Sequence, residues 1–194
     1  MKLRFFVLPL AFVLLSITAQ AQTGLYLNPV AVRVSNSVAD TGPIAFLGEG
    51  ATSQMFYGVN LGGYHDFQHA SKLGLGMDVR DAILHGNGAS LNTFSLGVRL
   101  TAQPFEAPYK FYIEPAIGWG RSRSAHSPRH TSKAQPEIFA GVDYKIHKHI
   151  DWRIAEVGYS TLTTINSANF GYYNVTIPAS HLLSISTGFV FRIH

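Results

Sequence analysis

The chain has 194 residues, of which 46% are hydrophobic, 12% aromatic and only 13% charged. Soluble domains average about 25% charged residues, so an ordinary solvated surface is poorly supplied, and the apolar content excludes a disordered or collagen-like chain. Zero Cys excludes disulfide scaffolds and cysteine zinc sites, and a single apolar run at the N-terminus excludes a helical membrane protein, whose spans need about 18 apolar residues or more.

That first run reads as an export signal. Lys2 and Arg4 precede an apolar stretch from Phe5 to Ile17, and Ala19-x-Ala21 is a small-x-small cleavage site, so the cut is expected after Ala21. No Cys follows the cut, which excludes a lipoprotein anchor. Loss of Lys2 and Arg4 lowers the formal charge from +4 to +2, and export with so little net charge argues against a nucleic-acid partner.

From residue 22 onward the apolar period is two, the period of strands. Weaker alternation covers 25–35 and 54–67. Leu73, Leu75, Met77 and Val79 then alternate with Gly74, Gly76, Asp78 and Arg80. Phe94, Leu96, Val98 and Leu100 alternate with Ser95, Gly97, Arg99 and Thr101. Tyr109, Phe111, Ile113, Pro115, Ile117 and Trp119 alternate with Lys110, Tyr112, Glu114, Ala116, Gly118 and Gly120. Further strands are expected over 136–146 and 150–160. In the last, Leu183, Ile185, Thr187, Phe189, Phe191 and Ile193 alternate with Ser184, Ser186, Gly188, Val190 and Arg192. These eight strands exceed the globular mode of about 5–6 residues and match the roughly 9–11 that a tilted strand needs to cross a bilayer.

The face chemistry fixes their orientation. One face is large, apolar and aromatic; the other is Gly, Ser, Thr and scattered charges, too sparse for a solvated exterior and suited to a narrow lumen. The expected fold is all-β: an eight-stranded antiparallel up-and-down transmembrane β-barrel over 22–194, after a signal peptide over 1–21. Short connections are expected at 69–72, 104–108 and 147–149, alternating with those at 36–53, 85–90, 121–135 and 161–180, three of which are long, as in barrels with periplasmic turns and outer loops. Tyr57, Phe67, Tyr109, Phe111, Trp119, Tyr144, Trp152 and Tyr159 fall near strand ends, where amphipathic rings meet the headgroups.

The pattern resembles the small OmpA-type outer-membrane β-barrels. The last strand carries the resemblance most specifically: Ser186, Gly188, Phe191 and Ile193 match the polar-x-Gly-x-x-aromatic-x-hydrophobic assembly signal, with Ile193 in place of a terminal Phe and His194 after it. The segments from Phe56 to Phe67 and from Gly141 to Arg153 resemble hairpins of such barrels. The resemblance implies an integral outer-membrane protein, recognised by the assembly machinery, monomeric and without a cofactor; with the sequence stopping at His194, the wall-anchoring role of larger relatives is not expected.

The polar faces supply a lumen charge set: Arg33, Asp78, Arg80, Arg99, Glu114, Glu137, Asp143, Lys145, Arg153, Glu156 and Arg192. Glu156 joins Arg153 on one face only if a bulge interrupts the strand between them. Unpaired buried charges cost several kcal/mol, so mutual pairing is expected, as a plug or as a gated path for small solutes. An eight-stranded barrel is about wide enough to be filled by side chains, so a wide pore is not. The segment 121–135 carries Arg121, Arg123, Arg129 and Lys133 without an acid, a set suited to phosphates of a lipopolysaccharide-like glycolipid. His126 and His130 are poorly spaced for a metal, with Pro128 between them. A loop over 161–180 is rich in Thr, Asn and Tyr, including Asn166, Tyr172 and Asn174. Hydrolase motifs are lacking; the enzymatic alternative is a lipid-modifying acyl hydrolase or transferase resting on Ser160 and His181, with Glu156 nearby. The other alternative is a small porin-like channel. The expected role is structural or surface interaction, with at most narrow permeation.

Overall fold

A computed structural model describes residues 22–70, 72–104, 107–165 and 178–193. The segment 1–21 expected to be a signal peptide, the greater part of the Thr/Asn/Tyr-rich loop, 166–177, and His194 lie outside the described residues. Eight strands follow one another: β1 (Gln22–Ser35), β2 (Ser53–Ala70), β3 (Leu73–Gly86), β4 (Ala89–Ala102), β5 (Tyr109–Arg123), β6 (His130–His147), β7 (Ile150–Leu162) and β8 (Ser180–Ile193). All neighbouring pairs are antiparallel, and β8 pairs with β1 to close the barrel. Closure leaves no sheet edge, the condition for strands in lipid.

Each strand puts alternate residues on opposite faces. Leu73, Leu75, Met77, Val79, Phe94, Leu96, Val98 and Leu100 are exposed on the outside, while Asp78, Arg80, Ser95 and Arg99 are buried inside. The outward rings include Tyr57 near one rim and Tyr109, Phe111 and Trp152 near the other. Tyr109 and Tyr144, which are register partners, meet with ring centroids 5.1 Å apart. On β8, Phe191 and Ile193 point outward and Ser186 inward. Gly188 lies on the inner side against β1, where an added Cβ would collide with Asn28 Oδ1.

The connections at the lower end, after β2, β4 and β6, span 71–72, 103–108 and 148–149. At the upper end β3 turns into β4 through Asn87 and Gly88 alone, with φ of 44° and 78°. Two positive φ values are what a type I′ hairpin turn requires, and Asn-Gly supplies them at low cost. The expected loop over 121–135 is shorter: the β5–β6 ladder runs on to Arg123↔His130 and leaves only 124–129.

The upper end also differs from expectation in its first connection. Residues 36–52 fold down over the barrel and bury Ile44, Phe46 and Leu47 against Val32, Val34, Phe56, Leu84, Leu91, Leu162 and Leu182 of the wall. The Phe46 and Phe56 rings stack at 5.0 Å. Asp40 Oδ2 accepts hydrogen bonds from the Phe46 and Leu47 backbone N–H groups, at 2.5 and 2.9 Å, which holds the apolar turn in place. The upper lumen thus holds an apolar core, with Gln54, Ser122 and Ser180 buried beside it, and the charged residues of the inner face lie below it.

Candidate functional site: the barrel lumen

The lower lumen is organised around three guanidinium groups. Arg80, on β3, donates from Nη2 to Glu114 Oε1 at 2.9 Å and from Nη1 to Glu156 Oε1 at 3.1 Å, with Nε 3.3 Å from Asp78 Oδ1. Arg153, on β7, donates to Asp143 Oδ1 at 3.0 Å and Glu156 Oε2 at 3.2 Å. Arg99, on β4, donates to Asp143 Oδ2 at 2.8 Å. Charge-assisted contacts of this kind are the strong class of hydrogen bond. Every one of these side chains is buried.

Tyrosines fill the space between them. Tyr26 donates to Asp78 Oδ1 at 2.7 Å and Tyr112 to Glu156 Oε2 at 2.6 Å. The Arg99 guanidinium lies 3.8 Å from the Tyr112 ring centre and 4.2 Å from that of Tyr64, and Arg80 lies 3.8 Å from Phe139. Planar guanidinium on an aromatic face is favourable when both are desolvated. Glu137, higher up, is held by Ser95 Oγ and Gln135 Nε2. At the lower mouth Lys110 Nζ lies 3.5 Å from Asp66 and donates to Gln22 Oε1 at 2.8 Å, and Arg192 Nη2 lies 3.2 Å from Asp151.

Asp78, Arg80, Arg99, Glu114, Glu137, Asp143, Arg153 and Glu156 therefore share one buried interior. The bulge that Glu156 needs is present, as a register shift between Arg153 and Glu156 in the β7–β8 ladder. Arg192 stands at the mouth rather than inside the network. Lys145 is exposed at the lower end of β6, where the ladder shifts between Lys145 and His147. Arg33 is a correction: it faces outward, because Tyr26, Asn28, Val30, Val32 and Val34 take the inner face of β1. Asp66, Lys110 and Asp151, not expected in the network, are buried at its lower edge. The interior consequently holds more carboxylates than cations, and Arg80 is shared among three of them.

A space of about 40 Å³, lined by Arg80, Leu84, Glu137, Phe139 and Leu182 among others, separates the polar network from the apolar cap. One buried water needs roughly 10–15 Å³, so this is room for very few waters.

The basic residues of the upper rim are spread over three settings. Arg121 and Arg123 stand on the outer face of β5, Arg129 is in the 124–129 turn, and Lys133 is exposed at the top of β6. Ser160 and His181 do not come together: Ser160 is buried on the inner face of β7, whereas His181 is exposed outside and its Nδ1 lies 2.7 Å from Tyr159 Oη. Among the described residues no group of three or more His, Asp or Glu is arranged to hold a metal.

A closed eight-stranded barrel with an apolar exterior and a charged lower lumen is the architecture of the small outer-membrane barrels. No protein-family model matches the chain, and no curated protein does. Among solved structures it is similar to the Neisserial surface protein A, with a TM-score of 0.57 at 12% identity over 87% of this chain and 96% of that one. It is also similar to Ail, the attachment invasion locus protein of Yersinia pestis, with a TM-score of 0.55 at 11% identity over 89% and 99%. At these identities the likeness is one of fold.

Proposed function

We propose that the chain is an integral outer-membrane barrel that serves as a sealed platform for surface contacts rather than as a channel. The observation that carries this reading is the double closure of the lumen: a guanidinium–carboxylate network below, and the Ile44–Leu47 turn packed into an apolar core above. A solute would have to break a buried charge network and also displace a hydrophobic stopper. The surface names of the two similar proteins agree with a role at the cell exterior. Export follows from the segment 1–21, and assembly from the β8 signal.

The rim cations belong to the same reading. Arg121 and Arg123 sit on the outer face just above Trp119, at the level where strands leave the apolar belt. Arginine forks match phosphate oxygens. With Arg129 and Lys133 they contact the phosphates of the surrounding glycolipid.

Fractionation with heat-modifiable gel mobility, followed by liposome swelling, tests the proposal. The folded form is expected to run faster than the boiled form after extraction from outer membranes, and proteoliposomes are expected not to swell in small sugars. A chain that stays soluble without detergent, or liposomes that swell in proportion to protein, would contradict it.

A further inference from the structure

Arg33 is the cation that leaves the lumen for the outer face, and it meets no acid among the described residues. It lies near the upper rim of β1, with Met55 and Leu183 as register partners. Immediately below it the exterior is indented. The neighbouring outer positions are large: Leu25 and Leu27 lower on β1, and Val59 and Leu61 on β2. Between Leu27 and Arg33, however, β1 presents only Pro29 and Ala31. Tyr57 and Ile185, the two cross-strand partners of Ala31, stand as walls.

The floor is shaped by irregular backbone. The β1–β8 ladder is interrupted between Leu27↔Phe189 and Val30↔Ser186, at Pro29, which has no N–H to give. On the other side of β8, the β7 bulge inserts Ile154 and Ala155 opposite Thr187. The result is a trough of about 530 Å³ open to the outside and lined by Pro29, Ala31, Tyr57, Ala155, Ile185 and Thr187. Arg33 stands two residues above Ala31 on the same face of β1, beyond the walls of the trough, and on the adjacent strand His181, two residues from Leu183, is hydrogen-bonded to Tyr159.

We propose that this trough is a binding site for one phospholipid of net negative charge, with an acyl chain in the trough and the phosphate, free of any headgroup cation, on Arg33. The inference rests on the membrane reading above and goes beyond it by naming a discrete site. Its occupant follows from charge and shape together. An arginine on a lipid-facing strand extends to the interface, where phosphates are its available counter-ions. The small side chains beneath it accept a chain that the filled wall elsewhere only skirts. Arg121 lacks such a floor, since Ile117 and Trp119 are large and exposed below it.

The test is native mass spectrometry of the purified, delipidated barrel titrated with dioleoyl-phosphatidylglycerol or with dioleoyl-phosphatidylcholine. Wild type is expected to hold one phosphatidylglycerol about 10-fold more tightly than phosphatidylcholine, because both carry a phosphate but the choline cation already neutralises its own and repels Arg33. Arg33→Ala is expected to erase the preference, and Arg33→Lys to keep part of it. Ala31→Phe, which fills the trough, is expected to lose retention of both lipids, and Lys148→Ala, in a turn at the opposite end, to change nothing. Equal retention of the two lipids by wild type, an unaltered preference in Arg33→Ala, or full retention in Ala31→Phe would each overturn the site. Heat-modifiable mobility, run on every variant, shows that the barrel is folded. A wild-type chain soluble without detergent would overturn the membrane reading and this site with it, an outcome distinct from lost lipid retention in a folded barrel.

Discussion

The two halves of the lumen are closed by opposite chemistries. Below, Arg80, Arg99 and Arg153 are each desolvated and each paired with carboxylates from other strands. Above, Phe46 and its neighbours bury apolar surface against valines and leucines of the wall. The polar half ties β3, β5 and β7 together across the bore and sets which residues face inward. Such a network adds specificity more surely than stability, because desolvation offsets much of the Coulombic gain. The apolar half belongs to a loop, so it can leave without altering a strand. The lower closure is thus part of the barrel, while the upper one is docked onto it.

The largest effect is expected from Arg80→Ala, which leaves Asp78, Glu114 and Glu156 buried without their shared cation. Removing one partner of a buried pair costs about 3–5 kcal/mol, to be read as a lower urea midpoint for the barrel folded in lipid. A midpoint shift below about 1 kcal/mol equivalent would mean that water already screens this network. Phe46→Ala should cost a similar amount, about 3–5 kcal/mol, yet locally: protease should cut within 36–52 while the barrel keeps its heat-modifiable mobility. Loss of the barrel itself in Phe46→Ala would erase the distinction between the two halves.

Smaller effects sharpen it. Gly188→Ala forces a Cβ against the fully buried Asn28, an overpacking cost of about 1–3 kcal/mol, which urea unfolding reads. Asp81 points outward in register with Leu61 and Phe94, so Asp81→Leu is expected to stabilise the barrel by about 1 kcal/mol in lipid. The smallest effect concerns the docked loop. Burial raises the Asp40 carboxyl above its ordinary value, and the N–H groups of Leu47 and Phe46 offset that only in part. A raised folded value means the contribution is fully present below the unfolded value, near 3.9, and is lost as pH rises through the elevated one. Hydrogen exchange at Phe46 and Leu47, corrected for intrinsic rates, should therefore show tighter docking in acid. Asp40→Asn keeps an acceptor and should flatten this dependence.

Much of the barrel is legible in strict alternation. In β3, β4, β5 and β8 every second residue is large and apolar and the others are small or charged, so strand, face and lumen follow directly. β1 is harder to read, because Val30, Val32 and Val34 are as apolar as Leu25 and Leu27 on the other face, and the choice of face is made by Tyr26 and Asn28. That ambiguity is why Arg33 reads as internal in the sequence and stands outside in the structure. Lys110 alternates with Phe111 on the same face as Tyr112 and Glu114, so its place was readable. The loop stopper had a signal as well, the run Ile44-Ala45-Phe46-Leu47 between Gly42 and Gly48. Its destination was not readable, because only the closed barrel shows that β1, β2, β3 and β7 leave an apolar cup above the charges. The β7 bulge could be inferred as a need of Glu156, but not its second consequence, the irregular floor beside Thr187.

Single-channel recording in planar bilayers tests the double closure most directly. Two closures in series predict that wild type carries no steady current. They also predict that Arg80→Ala and Phe46→Asp each remain closed, and that the two substitutions together give discrete conductance steps. Steady steps in wild type, or in either single variant, would contradict the account.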